Sequence, residues 1–316
     1  MNFAKRIGSV IFLFVALTSC HVKKDQVETK VTLDTPTGKI YGTLLIPAGF
    51  EQGPVALIIA GSGPTDRDGN TMLGKNESLK KLAQGLAANH IATLRYDKRG
   101  IGESKAAGMD ESKMRFDDLV NDAKGWIETL KKDKRFTKIT VAGHSEGSLI
   151  GMIAANGMAD KFVSIAGAGE SADKILKTQL TRLPDSLRNV VFQILDSLKA
   201  GKLVNVTDMT LYSLFRPSVM PYMISWFKYD PQEEIKKLSI PCLIAQGTND
   251  IQVTVADEQK LASANPKAEV LLIDNMNHVF RIVESKDRQA NIAVYTKPEL
   301  PISEVLVKGV SDFIVK

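Results

Sequence analysis

Lys138-Ile-Thr-Val-Ala-Gly-His-Ser-Glu-Gly-Ser-Leu-Ile150 decides how the rest of the chain is read. It opens as a short β-branched strand, passes through Gly143-His144-Ser145-Glu146-Gly147, and continues as a small-residue helix through Ala154 and Ala155. A serine with glycine at both ±2 positions, strand before and helix after, fits a nucleophile elbow. So tight a turn strains the serine backbone, and the glycines let strand and helix approach without a Cβ clash. It would lift the hydroxyl above the strand end and leave the Glu146 amide to donate toward an oxyanion. The bare pattern also occurs as a glycine turn that only packs, so its weight depends on partners elsewhere in the chain.

Around this stretch strand and helix alternate. Residues 27–33 alternate in polarity and residues 39–46 follow Pro36-Thr37-Gly38, an antiparallel hairpin signal. Residues 54–60 are continuously apolar, as expected of a strand covered on both faces, and run into a polar, glycine-rich loop over residues 61–70. Leu79, Leu82, Ala83 and Leu86 mark one helix face; Phe116, Leu119, Ala123, Trp126 and Leu130 mark another. Between them lie a strand at 91–96 and the run Asp97-Lys98-Arg99-Gly100-Ile101-Gly102-Glu103-Ser104. Further strands are expected at 161–166, 239–245 and 268–273. A C-terminal helix is expected from Pro301, a favoured first-turn residue, burying Val305, Leu306, Val310 and Phe313. The alternation predicts an α/β fold, a mostly parallel doubly wound sheet with an antiparallel N-terminal hairpin. Residues 171–237 depart from it, with two or three helical patterns and no strand. An insertion there would lie over the strand C-termini, where open α/β sheets bind ligands, and it reads as a helical cap.

A serine hydroxyl needs a base, usually an imidazole. The chain has four histidines. His21 lies near the N-terminus, His90 at a helix end remote from the elbow, and His144 beside the serine in a turn that points neighbours apart. His278, in Asn275-Met276-Asn277-His278 just past the last strand, remains as the candidate base. Asp250, at the end of Gln246-Gly247-Thr248-Asn249-Asp250 after the preceding strand, is the favoured carboxylate, with Asp274 the competitor. Two backbone donors would complete the oxyanion hole: the Glu146 amide and the Ser62 amide, with Gly63 the alternative to Ser62. Asp66, Arg67, Asp68 and Asn70 either brace their loop internally, or Arg67 or Asn70 meets substrate.

At the N-terminus, Lys5 and Arg6 precede a short apolar run and Leu17-Thr18-Ser19-Cys20. The run is too short to span a bilayer, so residues 1–19 read as a signal peptide. The small residues before Cys20 resemble a bacterial lipobox. Cys20 would then be lipidated, with residues 20–30 a polar tether, residues 31–316 the α/β domain, and the cell envelope the location. Removing residues 1–19 lowers the formal charge from +5 to +3, leaving 39 basic and 36 acidic residues. That balance, with no basic stripe interleaved with aromatics, argues against nucleic acid as a partner. Cys242 leads an apolar strand and reads as a buried, inert thiol. No metal-ligand cluster is visible.

The 61–70 loop, Asp97-x-Arg99-Gly100-x-Gly102-x-Ser104, the 143–147 elbow, Gly247-x-x-Asp250 and Asn277-His278 together resemble the α/β-hydrolases. Their serine esterase and dienelactone-hydrolase-like group is the nearest likeness, over about residues 29–316. Dienelactone hydrolases proper are less similar, because they use cysteine where this chain has Ser145. The resemblance implies a carboxylic ester hydrolase with Ser145, Asp250 and His278 as the triad and no cofactor. Its substrate would be a small ester, with an apolar acyl or aryl group under the bulky cap. A capped serine aminopeptidase of the same fold is the alternative. It would need an acidic site for the substrate amine, with Asp185, Asp196 and Asp208 as candidates. A lipoprotein that keeps the fold only for binding is a third reading, and such modules usually lack a triad member.

Overall fold

The structure, a computed structural model, describes residues 26–72 and 74–316. Residues 1–19, Cys20, His21 and most of the expected tether lie outside the described residues.

Eight strands form one sheet in the order β1-β2-β4-β3-β5-β6-β7-β8. β1 (Val27–Thr35) and β2 (Gly38–Ile46) are the expected antiparallel hairpin, and β2 pairs antiparallel with β4 (Ala92–Tyr96). β3 (Gly53–Ile59), β5 (Phe136–His144), β6 (Lys161–Ile165), β7 (Cys242–Gly247) and β8 (Glu269–Ile273) continue in parallel. The hairpin corrects the tether boundary. Residues 27–30 pair with β2, and their polar composition reflects an exposed edge strand rather than a linker.

β3 shows why its sequence is apolar throughout. Val55, Leu57 and Ile59 enter one core and Ala56, Ile58 and Ala60 the other. The first core packs against α2 (Phe116–Lys132) and α3 (Glu146–Ala155), the second against α1 (Ser78–Ala88) and the C-terminal helix (Glu304–Val315). The chain leaves β3 to form β4 on one side and later returns to form β5 on the other. The crevice between the C-terminal ends of β3 and β5 is therefore the topological switch point, where ligands bind in such sheets. The C-terminal helix begins later than Pro301 suggests. Ser303 accepts the Leu306 amide through its hydroxyl, so a side-chain cap sets the start. Val305 is 55% exposed rather than buried.

The insertion contains more helix than its pattern suggests: α4 (Ala172–Gln179), α5 (Asp185–Lys199), α6 (Tyr212–Phe215), α7 (Met220–Trp226) and α8 (Pro231–Lys236). The first four gather Val191, Leu195, Leu198, Phe215, Met223 and Phe227 into a separate apolar cluster. α8 does not belong to it, since Ile235 packs into the body's core and moves the end of the cap forward of residue 231. The cap meets the body over the C-terminal ends of β4 and β5. The Phe116 amide at the start of α2 donates to Ser225 Oγ at 2.8 Å, and the Tyr222 hydroxyl donates to Glu146 at 2.6 Å.

A cap with its own core should loosen by itself. Leu195→Ala, which empties a fully buried site, should cost about 2–5 kcal/mol. Hydrogen exchange should then show lost protection in α5 and α7 with β3 to β7 unchanged; equal loss in the sheet would refute an independent cap core.

Candidate active site

The elbow forms as the sequence requires. Ser145 has φ 54° and ψ −120°, between the end of β5 and the first residue of α3. Holding a non-glycine residue in such a conformation costs about 1–3 kcal/mol, which the surrounding packing must offset. A β-carbon on Gly143 would lie 2.1 Å from the Gly147 carbonyl oxygen, and one on Gly147 would lie 2.4 Å from that of Ile59. Both positions exclude any side chain. Glu146 opens α3, so its amide has no carbonyl one turn back within the helix. On the β3 side, a β-carbon on Gly61 would lie 3.1 Å from Ser145 Cβ. The Gly61–Ser62 peptide thus runs directly against the serine.

Asp250 and His278 come together from the loops after β7 and β8. His278 Nδ1 lies 2.7 Å from Asp250 Oδ2, both residues being buried. Asp250 Oδ1 accepts the amides of Gln252 and Val253 at 2.8 and 3.0 Å, so three bonds orient one carboxylate. With Nδ1–H given to Asp250, the lone pair of the neutral ring sits on Nε2. Asp274, the competing carboxylate, is exposed. The two loops are laced together. A β-carbon on Gly247 would lie 2.1 Å from the Met276 carbonyl oxygen, and Asn249 Nδ2 donates to the carbonyls of Val283 and Ser285. Asn277 Oδ1 accepts the amides of Val279 and Arg281, folding the His278 loop on itself.

The neighbours of Ser145 do more than their sequence positions suggest. His144 is engaged with the His278 loop, its Nε2–H donating to the His278 carbonyl at 3.0 Å. Its ring centroid lies 4.7 Å from that of His278 and 4.9 Å from that of Phe280. Burial, then the neighbouring His278, pushes its pKa well below the ordinary 6.5, so it is neutral and holds the His278 loop from beneath. The Glu146 side chain, credited at first only through its backbone, is buried and paired with Lys98 Nζ at 2.8 Å. Lys98 also donates to the Gly61 carbonyl at 2.5 Å. Sequence reasoning passed over Lys98; the available signal was three consecutive charged residues directly after a buried strand.

The remaining charged residues brace the frame. Arg67 is buried and donates to Asp97 through both its amide and Nη2 at 2.8 Å, and it also pairs with Glu103. Asn70 binds Asp66 and accepts the amides of Asn76 and Glu77. Both are engaged by partners within or beside the 61–70 loop. Arg99 forks onto Asp122 at 2.6 and 2.8 Å. Cys242 is buried, with its thiol pushed up to about 11 by burial. Among the described residues no helix is long and apolar enough to cross a membrane.

A family model described as serine aminopeptidase, S33, matches residues 74–212. Esterase EstD of Thermotoga maritima is 28% identical over 268 residues, 80% of this chain; the chain spans 61% of that relative's length. Est1E from Butyrivibrio proteoclasticus superposes with a TM-score of 0.57 at 16% identity, over 91% of this chain and 99% of that one. The chain has the α/β-hydrolase fold and is similar to esterases and peptidases built on it. A dienelactone hydrolase from Anabaena variabilis shares this α/β-hydrolase fold, with a TM-score of 0.51 at 16% identity over 87% of this chain and 99% of that one.

The neutral state of His144 has a measurable consequence. Above the ordinary histidine pKa the buried ring costs nothing in protonation. As pH falls below about 6.5, the unfolded chain takes up a proton that the folded ring refuses, and stability falls. Urea unfolding from about pH 7 to about pH 5 should show this loss in the wild type and a shallower one in His144→Asn. Parallel stability curves would remove the histidine from the account.

Proposed function

We propose that the chain is a carboxylic ester hydrolase working through Ser145, His278 and Asp250. The 2.7 Å contact between His278 and Asp250 supports this reading, together with the His278 ring lying 4.7 Å from that of His144, the residue before the strained Ser145. Ser145 attacks the acyl carbonyl while His278 Nε2 takes its proton. The Glu146 and Ser62 amides receive the oxyanion. The leaving alcohol departs with the proton from His278, and a water activated by the same ring releases the acid and restores Ser145. Asp250 holds the tautomer throughout and stabilises the imidazolium. The similarity to an esterase supports the ester as substrate class. The bulky methionine and aromatic side chains of the cap motivate an apolar acyl or aryl group as the part of the substrate it covers.

The aminopeptidase reading has the matching family description in its favour. Its proposed amine sites are already engaged: Asp185 pairs with Arg188, Asp196 with Lys177, and Asp208 caps the Thr210 turn. The esterase is therefore preferred. Membrane attachment through Cys20 in the bacterial envelope is proposed on the lipobox-like sequence alone.

Ser145→Ala should abolish hydrolysis of short p-nitrophenyl esters with an unchanged circular dichroism spectrum; residual turnover at the wild-type rate would end the esterase reading. Aminoacyl nitroanilides cleaved faster than acyl esters would favour the peptidase. Separately, Cys20→Ser should move the protein from the membrane fraction to the soluble one, and continued sedimentation with membranes would sink the lipid anchor.

A further inference from the structure

Lys98 stands between the two chain segments that would form the oxyanion hole. Its ammonium donates to the carbonyl of Gly61, the residue before Ser62, and to the carboxylate of Glu146, the residue after Ser145. Because a trans peptide is planar, drawing the Gly61 carbonyl to one side aims the Ser62 N–H to the other. The second contact ties that peptide to the first residue of α3, which carries the other amide. The other carboxylate oxygen of Glu146 accepts the Tyr222 hydroxyl of the cap at 2.6 Å. Lys98 and Glu146 are buried, at 4% and 7% exposure, and Tyr222 is partly buried. Ammonium and carboxylate cancel in charge, so the pair acts on geometry rather than by adding positive potential at the oxyanion.

We propose that Lys98 is a positioning residue that sets the spacing and aim of the Ser62 and Glu146 amides, and that Tyr222 makes this setting depend on the seated cap. The chain Tyr222–Glu146–Lys98–Gly61 then links substrate enclosure to transition-state stabilisation. Catalysis is sensitive to such aim, since a displacement of about 1 Å can cost about a hundredfold in rate.

The inference rests on the ester hydrolase reading, and the experiment separates the two. Wild type and Ser145→Ala are first compared on p-nitrophenyl butyrate; an inactive wild type would overturn the function and this proposal with it. With an active wild type, Lys98→Met/Glu146→Gln removes both charges together, avoiding an unpaired buried ion. Tyr222→Phe removes a single oxygen, and it carries the test alone should the double variant fail to fold. The expected result is a fall in kcat of about tenfold to about a thousandfold in the double variant, with a smaller fall in Tyr222→Phe. KM should change little, and inhibition by phenylboronic acid, a tetrahedral mimic, should weaken in step with kcat. Folded variants with wild-type kcat, or with a raised KM and unchanged boronate inhibition, would overturn the proposal while leaving the esterase intact.

Discussion

The close approach of backbone to backbone at the elbow is the constraint from which the rest follows. With no room for a β-carbon at Gly143 or Gly147, β5 runs into α3 through a single residue, and that residue carries the strain. The strain persists because everything around it is fixed. β3 and β6 flank β5 on either side, α3 is buried almost all round, and the Ser145 amide donates to the Ile165 carbonyl at 3.0 Å. A looser turn would relax the serine and scatter the groups that face it.

Three loops then converge on the elbow, and each is held by a different device. The β3 loop is held by charged side chains, with Arg67 paired to Asp97 and Lys98 donating to the Gly61 carbonyl. The β7 loop is held by backbone amides that orient Asp250. The β8 loop is held by asparagine turns above and by the neutral His144 below. Charged, backbone and neutral contacts respond differently to salt and to pH, so the three supports need not fail together.

Much of this was legible in the chain. Uninterrupted apolar runs give the central strands because both faces of the sheet are covered, and four histidines leave His278 by elimination. What escaped depended on partners distant in sequence. Residues 27–30 read both ways, as strand by their alternation and as tether by their exposure at the sheet edge, and only the backbone pairing with β2 decides between them. Pro301 suggests a helix start, yet the Ser303 cap two residues on decides it. Lys98 and Glu146 read as ordinary charges because their meeting crosses 48 positions of sequence. Tyr222 lay in a segment whose helices could be counted only approximately from their pattern.

The separate apolar cluster of the cap carries a consequence for how this protein can diverge. Its fully buried side chains can be exchanged in concert with little disturbance to the core beneath the sheet, which Tyr222 and Trp226 also touch. The shape of the space beneath the cap can therefore drift over generations while the elbow stays as it is. Tyr222 marks where that freedom stops, because its hydroxyl reaches out of the cap to the residue beside the serine. Lineages that reshape the cap are expected to keep a donor at that point, or to rebuild the bond from another helix.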